Sequence, residues 1–423
     1  MSVIEDIKYK AMVRVNSKWI SHPSSKTIDK FPHIFFKNGE PFREVNHWAL
    51  DKFHGSNGNS LKTITRLMRH INSYVNWLEE HDLHWKQFPK QKKERCLLIY
   101  RGYLMDQIRS GRMQCTTAKA NMASVIQFYR YAQVENLIET NQPLWQDKTQ
   151  ILHFHNSVGF NRTMSVTSSE LSIPCRRQGG LTVEGGLLPL TTENREVLLN
   201  FLKMHEMQEL YLMLLLGFFV GLRSETIRTL NIEVLENYYE DPQTPNFVRI
   251  NVGPGTRVRT KYDVSGQVLM PEALRQALID YYYSERALFR RVNAVSENKE
   301  LIFITKMGNP YSENSFTKLI SDLRNKMAQK GLSQFKNFKF HQSRATYGTM
   351  MMTIALENLS HTNAIAIVQD AMLHKHERTT WQYIKFLEQK SVKEVFFDEF
   401  FLAFTGQHKD TNELIAQLVN YEQ

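Results

Sequence analysis

The sequence predicts a mainly α protein with two folded domains: a helical one, then an α-rich one that carries a small antiparallel sheet. A chain of 423 residues is too long for one ordinary domain. Its composition, 42% hydrophobic and 11% aromatic, is typical of a folded globular protein. Apolar residues recur at helical spacing in both halves, whereas residues 246–270 alternate and contain turn-forming glycine and proline.

Residues 59–153 are assigned to the helical domain. From residue 61 to residue 78, apolar side chains recur at steps of three and four, which marks one face of a helix. Two further helices are predicted over 92–108 and 117–136. Residues 154–190 lack such periodicity and contain Pro174 and two Gly-Gly pairs, so we predict an interdomain linker there.

The second domain is assigned to residues 191–390. It begins with a predicted helix in TTENREVLLNFL, followed by ELYLMLLLGFFVGLR, which is apolar on nearly every side and is therefore predicted to be a central buried helix. The alternating stretch 246–270 predicts short antiparallel strands. Helices are then predicted over 271–292, 314–329, 342–357, 362–373 and 391–404.

The charge distribution favours a polyanionic partner. The chain has a formal net charge of +10, and residues 61–180 carry 17 Lys and Arg against 9 Asp and Glu. Residues 391–423 carry 2 against 6, so this tail is expected to avoid phosphates. The most apolar run is far shorter than a membrane span, and no signal peptide begins the chain. We expect an intracellular, cytoplasmic protein with no membrane partner.

The cysteines and histidines give no sign of a metal site. Cys96, Cys115 and Cys175 are an odd number without metal-ligand spacing, so neither a disulfide framework nor a structural zinc is expected. The motifs HFH at 153–155 and HKH at 374–376 lack a Cys or carboxylate partner at ligand spacing. We therefore predict no metal and no cofactor.

Three basic side chains in the second domain are candidates for holding a phosphate. Arg223 follows the buried helix in GLRSETIRTL, where a rigid core would fix its guanidinium against two phosphate oxygens. His341 and Arg344, in FHQSRATYG, are three apart and share a face if helical. Each is also compatible with a plain structural role, as a helix-capping arginine or a half-buried histidine beside a surface arginine.

A histidine and a tyrosine follow in LHKHERTTWQYIKF. His374 precedes Tyr383 by nine residues, with Thr379 and Thr380 between them as potential caps for the helix that carries the tyrosine. A nucleophilic tyrosine needs nearby cations that stabilise its phenolate and the attacked phosphate. In isolation, Tyr383 would be a core aromatic.

The ordered set GLR, hairpin lysine, HxxR and L-H-x4-T-T-x-x-Y resembles the catalytic domain of tyrosine recombinases of the lambda-integrase type. The resemblance implies that Arg223 and Arg344 clamp the phosphate. It makes His341 the histidine of HxxR, His374 the later histidine and Tyr383 the nucleophile. SGRMQCTTAKANMASVIQFYRYA, within residues 59–153, is similar to a helix of the family's core-binding domain.

The resemblance also implies a lysine on a β-hairpin between the two arginines, and Lys261 is the candidate. Two positions depart from the family's pattern. The usual acidic residue three after the first arginine is Thr226 here, with Glu225 one earlier. The usual Leu-Gly-His is Leu373-His374 without the glycine. These departures concern local packing more than chemistry.

The activity implied is site-specific cleavage and rejoining of DNA through a 3′-phosphotyrosine at Tyr383, without metal or cofactor, for integration or excision of a mobile element. The implied partners are double-stranded recombination sites, further copies of the chain in a tetramer, and accessory DNA-bending or directionality proteins. A type IB topoisomerase-like enzyme is the nearest alternative. A catalytically idle DNA-binding regulator is another, from a different class.

The sequence allows two interpretations for each terminal segment. Residues 1–58 carry a net charge of only +3, so they are predicted to extend the helical domain rather than to form a separate arm-site DNA-binding segment. In the tail, 391–423, SVKEVFFDEFFLAF and NELIAQLV are predicted helices. They either pack on their own domain or, as the resemblance favours, dock on a neighbouring subunit.

Overall fold

The computed structural model describes residues 1–15, 18–22, 27–55, 59–139, 143–155, 161–175, 182–184, 186–241 and 244–405. The chain divides into two compact units, Met1–Gln178 and Gly179–Gln423. Helices predominate in both and the sheets are small and antiparallel, so the predicted fold class is confirmed. Within the described ranges, we find no helix with the length and apolar character needed to cross a bilayer.

Helices are the longest regular elements of the first unit. The helix predicted from residue 61 is confirmed, and Ile64, Ile71 and Val75 on its apolar stripe are buried. It begins after Ser60, whose hydroxyl accepts a hydrogen bond from the amide of Thr63 at 3.3 Å. The helices are α1 (Arg43–His54), α2 (Leu61–Glu80), α3 (Cys96–Arg109) and α4 (Cys115–Val134).

The N-terminal strands share the core of these helices. The Asn46 side chain, on α1, accepts from the Ile34 amide at 2.9 Å and donates to the Ile34 carbonyl at 3.1 Å. Phe31 and Trp48 lie in one buried cluster with Phe128 of α4. Residues 27–55 thus contribute to the same hydrophobic core as the helices. Two antiparallel pairs are formed, β1 (Val3–Tyr9) with β4 (Ile28–Phe35) and β2 (Met12–Val15) with β3 (Lys18–Ser21).

The region predicted as an irregular linker, 154–190, contains regular structure. β5 (Asp147–His155) and β6 (Asn161–Ser169) pair antiparallel along their whole length. The sequence concealed this hairpin because strand formation here depends on backbone pairing, and polar Ser and Thr side chains replace the usual apolar alternation.

The expectation of no disulfide was wrong. Cys115, the first residue of α4, is bonded to Cys175, which follows the β5–β6 hairpin, and their Cα atoms are 5.8 Å apart. The two cysteines are separated by 60 positions, so only the fold brings them within bonding distance. Cys96 is the free, buried thiol.

The second unit begins with a helical layer around the predicted central helix. α6 is buried on almost every side, as expected from its sequence, with Leu212, Met213 and Leu216 in the main core. A three-stranded antiparallel sheet, in the order β7-β8-β9, covers this core. The elements are α5 (Thr192–Met204), α6 (Gln208–Phe219), α7 (Ser224–Arg228), α8 (Ile232–Glu236), β7 (Tyr239–Glu240), β8 (Phe247–Val252) and β9 (Gly266–Pro271).

Helices complete this unit. The helix predicted over 271–292 is two helices, because Ser284 caps the second and its hydroxyl accepts from the Ala287 amide at 3.4 Å. The elements are α9 (Glu272–Tyr283), α10 (Glu285–Val292), α11 (Glu313–Gln329), α12 (His341–Asn358), α13 (His361–Ala371) and α14 (Glu377–Thr405).

The tail prediction is corrected in one respect. Instead of a separate helix over 391–404, the backbone continues without a break from the helix that carries Tyr383 to Thr405. The segment NELIAQLV lies outside the described residues.

Close packing of α6 on α12 depends on a glycine. A Cβ atom at Gly217 would lie 2.0 Å from Ser343 Oγ and 2.8 Å from Ser343 Cβ. Since α12 carries His341 and Arg344, this contact sets the distance of two candidate site residues from the central helix.

We expect Gly217→Ala to destabilise the second unit by about 1–3 kcal/mol through overpacking, even though alanine is the better helix former. Gly102→Ala is the matched control: Gly102 lies within α3 with no atom within 4 Å of the added Cβ, and the change should stabilise by about 0.5–1 kcal/mol. Urea unfolding of both variants measures the difference. Similar shifts of the two midpoints would contradict the tight contact.

Candidate active site

Arg223 lies at the junction between α6 and α7. The chain turns at Gly221, which has a φ of +70°, and the ring of Tyr347 occupies the place of a Cβ, 2.4 Å from the ideal position. Only glycine fits this turn. Arg223 is the N-cap residue of α7, and its Nη1 donates to the carbonyl of Leu373 at 3.5 Å. Burial and the nearby charge of Arg344 lower the pKa of Arg223 to about 10, which still leaves it charged at neutral pH.

His341 and Arg344 share one face of α12, as predicted. Arg344 is only 2% exposed. Its Nη1 donates to the Gly221 carbonyl and its Nη2 to the Met372 carbonyl, the latter at 2.6 Å. These bonds fix the guanidinium between the C-terminal ends of α6 and α13. The His341 side chain, by contrast, is 38% exposed.

His374 is held by the helix that carries Tyr383. Its Nδ1 is 2.9 Å from the Thr380 hydroxyl, and both side chains are buried. Burial lowers the pKa of His374, so the ring is neutral at pH 7 and carries one proton. With Nδ1 accepting from Thr380, that proton is on Nε2, which faces the rest of the site.

Leu373, just before this histidine, has a φ of +47°. This left-handed conformation favours glycine, so Leu373 stands where the resemblance places one. The strain is compensated by packing, because its side chain lies over Gly266, where a Cβ would come within 2.4 Å of Leu373 Cδ2. The leucine therefore joins the His374 segment to the start of β9.

Tyr383 lies on α14 with no solvent exposure. Its ring is seated on Gly348 of α12, where an added Cβ would lie 2.6 Å from Tyr383 Cζ. Burial raises the pKa of the phenol well above its usual value, and the charge of Glu184 adds to this effect. Arg344 and Arg223 act in the opposite direction. The structure thus brings Tyr383 together with both predicted arginines.

Glu184 is the site residue that the sequence did not reveal. It lies in the segment predicted as linker, yet its carboxylate is at the centre of the site. Oε1 is 2.5 Å from His374 Nε2, and Oε2 is 2.6 Å from His341 Nε2 and 3.3 Å from Arg344 Nε. No motif marks it, since a lone glutamate between two Gly-Gly pairs has no distinctive spacing.

The electrostatics of Glu184 show how strongly the site favours an anion. Burial by itself raises the pKa of the Glu184 carboxyl. Hydrogen bonds with His341 and His374, together with the charge of Arg344, outweigh burial and hold the pKa far below its usual range. The carboxylate is therefore ionised at neutral pH.

Lys261 lies in the connection between β8 and β9, not on a strand. It begins a short turn, Lys261–Asp263, in which Tyr262 has a φ of +64°. The Lys261 ammonium stands 5.0 Å from the centre of the Tyr262 ring. Lys261 lines one narrow cleft together with Arg223 and Arg344, so the structure places all three cations on the same opening.

Thr226, at the position where the resemblance places an acid, is buried and lines the same cleft. Glu225 is exposed and does not replace that acid. The carboxylate that contacts the site's histidines is that of Glu184.

Comparison with known proteins gives distant structural similarities. The chain is similar to the integrase of transposon Tn1549 in complex with a circular intermediate DNA, at 15% identity, a TM-score of 0.49 and coverage of 80% of this chain and 94% of that one. It is also similar to a lambda integrase dimer bound to a COC′ core site, at 14% identity, a TM-score of 0.46 and coverage of 81% and 76%. XerA recombinase matches at 14% identity, a TM-score of 0.33 and coverage of 83% and 96%.

No family model matches the chain, and no curated protein does. At these identities, the function has to be inferred from the site's own residues.

The neutral state of His374 can be tested by titration. We expect its ring to protonate below the ordinary histidine value of 6.5. Because the unfolded ring then binds a proton more readily than the folded one, this contribution to stability is present above pH 6.5 and is lost as the pH falls towards the folded pKa. NMR titration of the ring Cε1–H, assigned with His374→Gln, measures it. A midpoint above 6.5 would mean that the Glu184 charge outweighs burial.

Proposed function

We propose that this protein is a tyrosine site-specific DNA recombinase that cleaves and rejoins DNA through a 3′-phosphotyrosine. One observation carries the proposal. His341 and Arg344 of α12, together with His374 after α13, bind one anionic group beside the buried Tyr383 hydroxyl. An anion site next to a phenol is the arrangement that a tyrosine needs in order to attack a phosphodiester.

In the proposed reaction, the Tyr383 oxygen forms a bond to the scissile phosphorus while the bond to the 5′ oxygen breaks. The phenol loses a proton and the leaving 5′ oxygen gains one. The phosphotyrosine preserves the energy of the phosphodiester, so a 5′ hydroxyl of another strand can reverse the step without ATP. Arg344 and Arg223, whose charges favour the ionised phenol, lower the cost of making the nucleophile.

Charge on the five-coordinate phosphate is stabilised by fixed donors. Arg344 cannot move away easily, because two backbone carbonyls hold its Nη atoms while its Nε faces the anion. The Nε2 atoms of His341 and His374 lie against the same anion. Donors that are fixed before the reaction need no reorganisation during it, which makes them effective in the transition state.

Lys261 is the proposed proton donor for the leaving oxygen. It lines the cleft beside Arg223 and Arg344, and the turn that carries it projects from the β8–β9 pair. An ammonium on this cleft can supply that proton as a general acid.

The first unit is the proposed reader of the DNA duplex. Arg66 and Arg69 are exposed on α2, and Lys119 is exposed on α4, which packs against α2. Together with the excess of basic residues between 61 and 180, they favour contact with phosphates. We further propose that copies of the chain assemble into a tetramer on paired sites, with the acidic tail contacting a neighbouring copy rather than DNA. Accessory DNA-bending or directionality proteins would act on that assembly.

Replacing the nucleophile gives the first functional test. With labelled DNA that carries a footprinted site, wild-type protein should leave a covalent protein–DNA adduct on a denaturing gel. Tyr383→Phe should abolish the adduct and leave DNA affinity nearly unchanged, because only the hydroxyl is removed. Tyr239→Phe, which alters an exposed tyrosine on β7, is the matched control and should form the adduct normally. An adduct formed by Tyr383→Phe would refute the assignment.

Lys261 is tested with a leaving group that needs no proton. Lys261→Ala should slow cleavage of ordinary DNA by about 10²–10⁴-fold. With a bridging 5′-phosphorothiolate, whose sulfur leaves unprotonated, its rate should return near that of wild type. Lys375→Ala is the matched control, since this ammonium also stands over Tyr262, at 5.7 Å. If Lys375→Ala is the variant that is slow on ordinary DNA and recovers on the phosphorothiolate, the proton donor is Lys375 and not Lys261.

A further inference from the structure

The Glu184 carboxylate occupies the donors that a bound phosphate would need. Its two oxygens engage the Nε2 atoms of His341 and His374 and the Nε of Arg344. A phosphodiester also presents two charged oxygens, and it would need the same donors. Since a second anion so close to a buried carboxylate is strongly repelled, the two cannot be bound together.

A short segment anchors this carboxylate. We call residues 182–184 and 186–190 the strap. Val183 and Leu187 are buried in one apolar cluster with α12, α13 and α14, and their backbones are bonded to each other. Besides the contacts of Glu184, two hydrogen bonds tie the strap to α12: the Leu190 amide donates to Thr346 Oγ1 at 2.8 Å, and Gln342 Nε2 donates to the Leu188 carbonyl at 3.0 Å. The strap is therefore a folded part of the site.

The strap also acts against the nucleophile. Tyr383 is fully buried, and a tyrosine that attacks DNA has to be accessible to it. The negative charge of Glu184 opposes ionisation of the phenol, whereas the two arginines favour it. Removing the carboxylate would leave the arginine charges unopposed.

The orientation of its contacts argues against a purely structural role for Glu184. A residue that only orients a histidine binds the nitrogen that points away from the reaction, as Thr380 does at Nδ1 of His374. Glu184 binds Nε2 of both histidines, on the side of Tyr383. Glu184 therefore binds the nitrogens that would contact a phosphate, whereas a supporting residue would bind the opposite nitrogen of each ring.

Resting on the proposed function, we propose that Glu184 is an internal substitute for the scissile phosphate. The strap is an autoinhibitory segment: in the absence of DNA it keeps the donors paired and the tyrosine covered. The scissile phosphate of a bound site competes with the carboxylate for the same three donors, so cleavage requires that Glu184 leave.

The first experiment needs neither DNA nor activity. Thermal unfolding of full-length protein is followed with increasing inorganic phosphate, using sodium chloride at equal ionic strength as reference. Glu184→Ala should be stabilised by phosphate more than wild type, because its anion site is empty. Glu196→Ala, which removes an exposed acid on α5, is the matched control and should behave like wild type. An equal response of all three proteins would overturn the proposal.

The second experiment measures adduct formation in a single turnover on DNA with a footprinted site. Glu184→Gln should react about threefold to tenfold faster than wild type, since the neutral amide competes less well for the donors. Glu196→Gln should match wild type. A slower Glu184→Gln would show that the acid assists the site, and an unchanged rate would show that it does not compete; either overturns the proposal.

The two proposals fail in different ways. If no variant forms an adduct but Glu184→Ala still gains a phosphate site, the recombinase assignment fails and the competition between carboxylate and phosphate stands. If adducts form in wild type and disappear in Tyr383→Phe while Glu184→Gln is slow, the enzyme assignment stands and the strap is not inhibitory.

Discussion

The buried guanidinium of Arg344 is the constraint on which the second unit's site depends. A charged side chain that is 2% exposed is tolerated only when its donors are paired. The partners come from three separate segments: the Gly221 carbonyl after α6, the Met372 carbonyl after α13, and the Glu184 carboxylate. The hydrogen bonds of this one guanidinium thus hold the ends of α6 and α13 and the strap close together.

This single pairing also sets the positions of its neighbours. Arg223 follows Gly221 by two residues and His374 follows Met372 by two, so the carbonyls that hold Arg344 fix the backbone from which both side chains project. The local cost is visible at Leu373, which adopts a left-handed conformation between the Met372 carbonyl and His374. Because the backbone is held on both sides, the His374 side chain has little conformational freedom. Such preorganisation suits a residue proposed to donate a hydrogen bond to the substrate.

The sequence predicts those features that depend on local spacing. His341 and Arg344 share a face because they are three apart on a helix, and the uninterrupted apolar run of α6 leaves no face for solvent. Features that depend on distant segments were not predictable. The residues that Glu184 contacts in the site are more than 150 positions away in the sequence. The disulfide between Cys115 and Cys175 forms only because the fold brings the end of the β5–β6 hairpin back to α4.

The unbroken course of α14 connects Tyr383, the proposed nucleophile, with the tail. A helix of 29 residues is about 43 Å long, and Tyr383 lies near its beginning while Thr405 ends it. Because the helix is continuous, its backbone links the distal end directly to the turn that carries the phenol. The strap packs on the same helix through the cluster that Val183 and Leu187 share with Tyr383 and Ile384. A partner bound to the tail and a phosphate that displaces Glu184 would therefore act on one element, and the state of Tyr383 would depend on both.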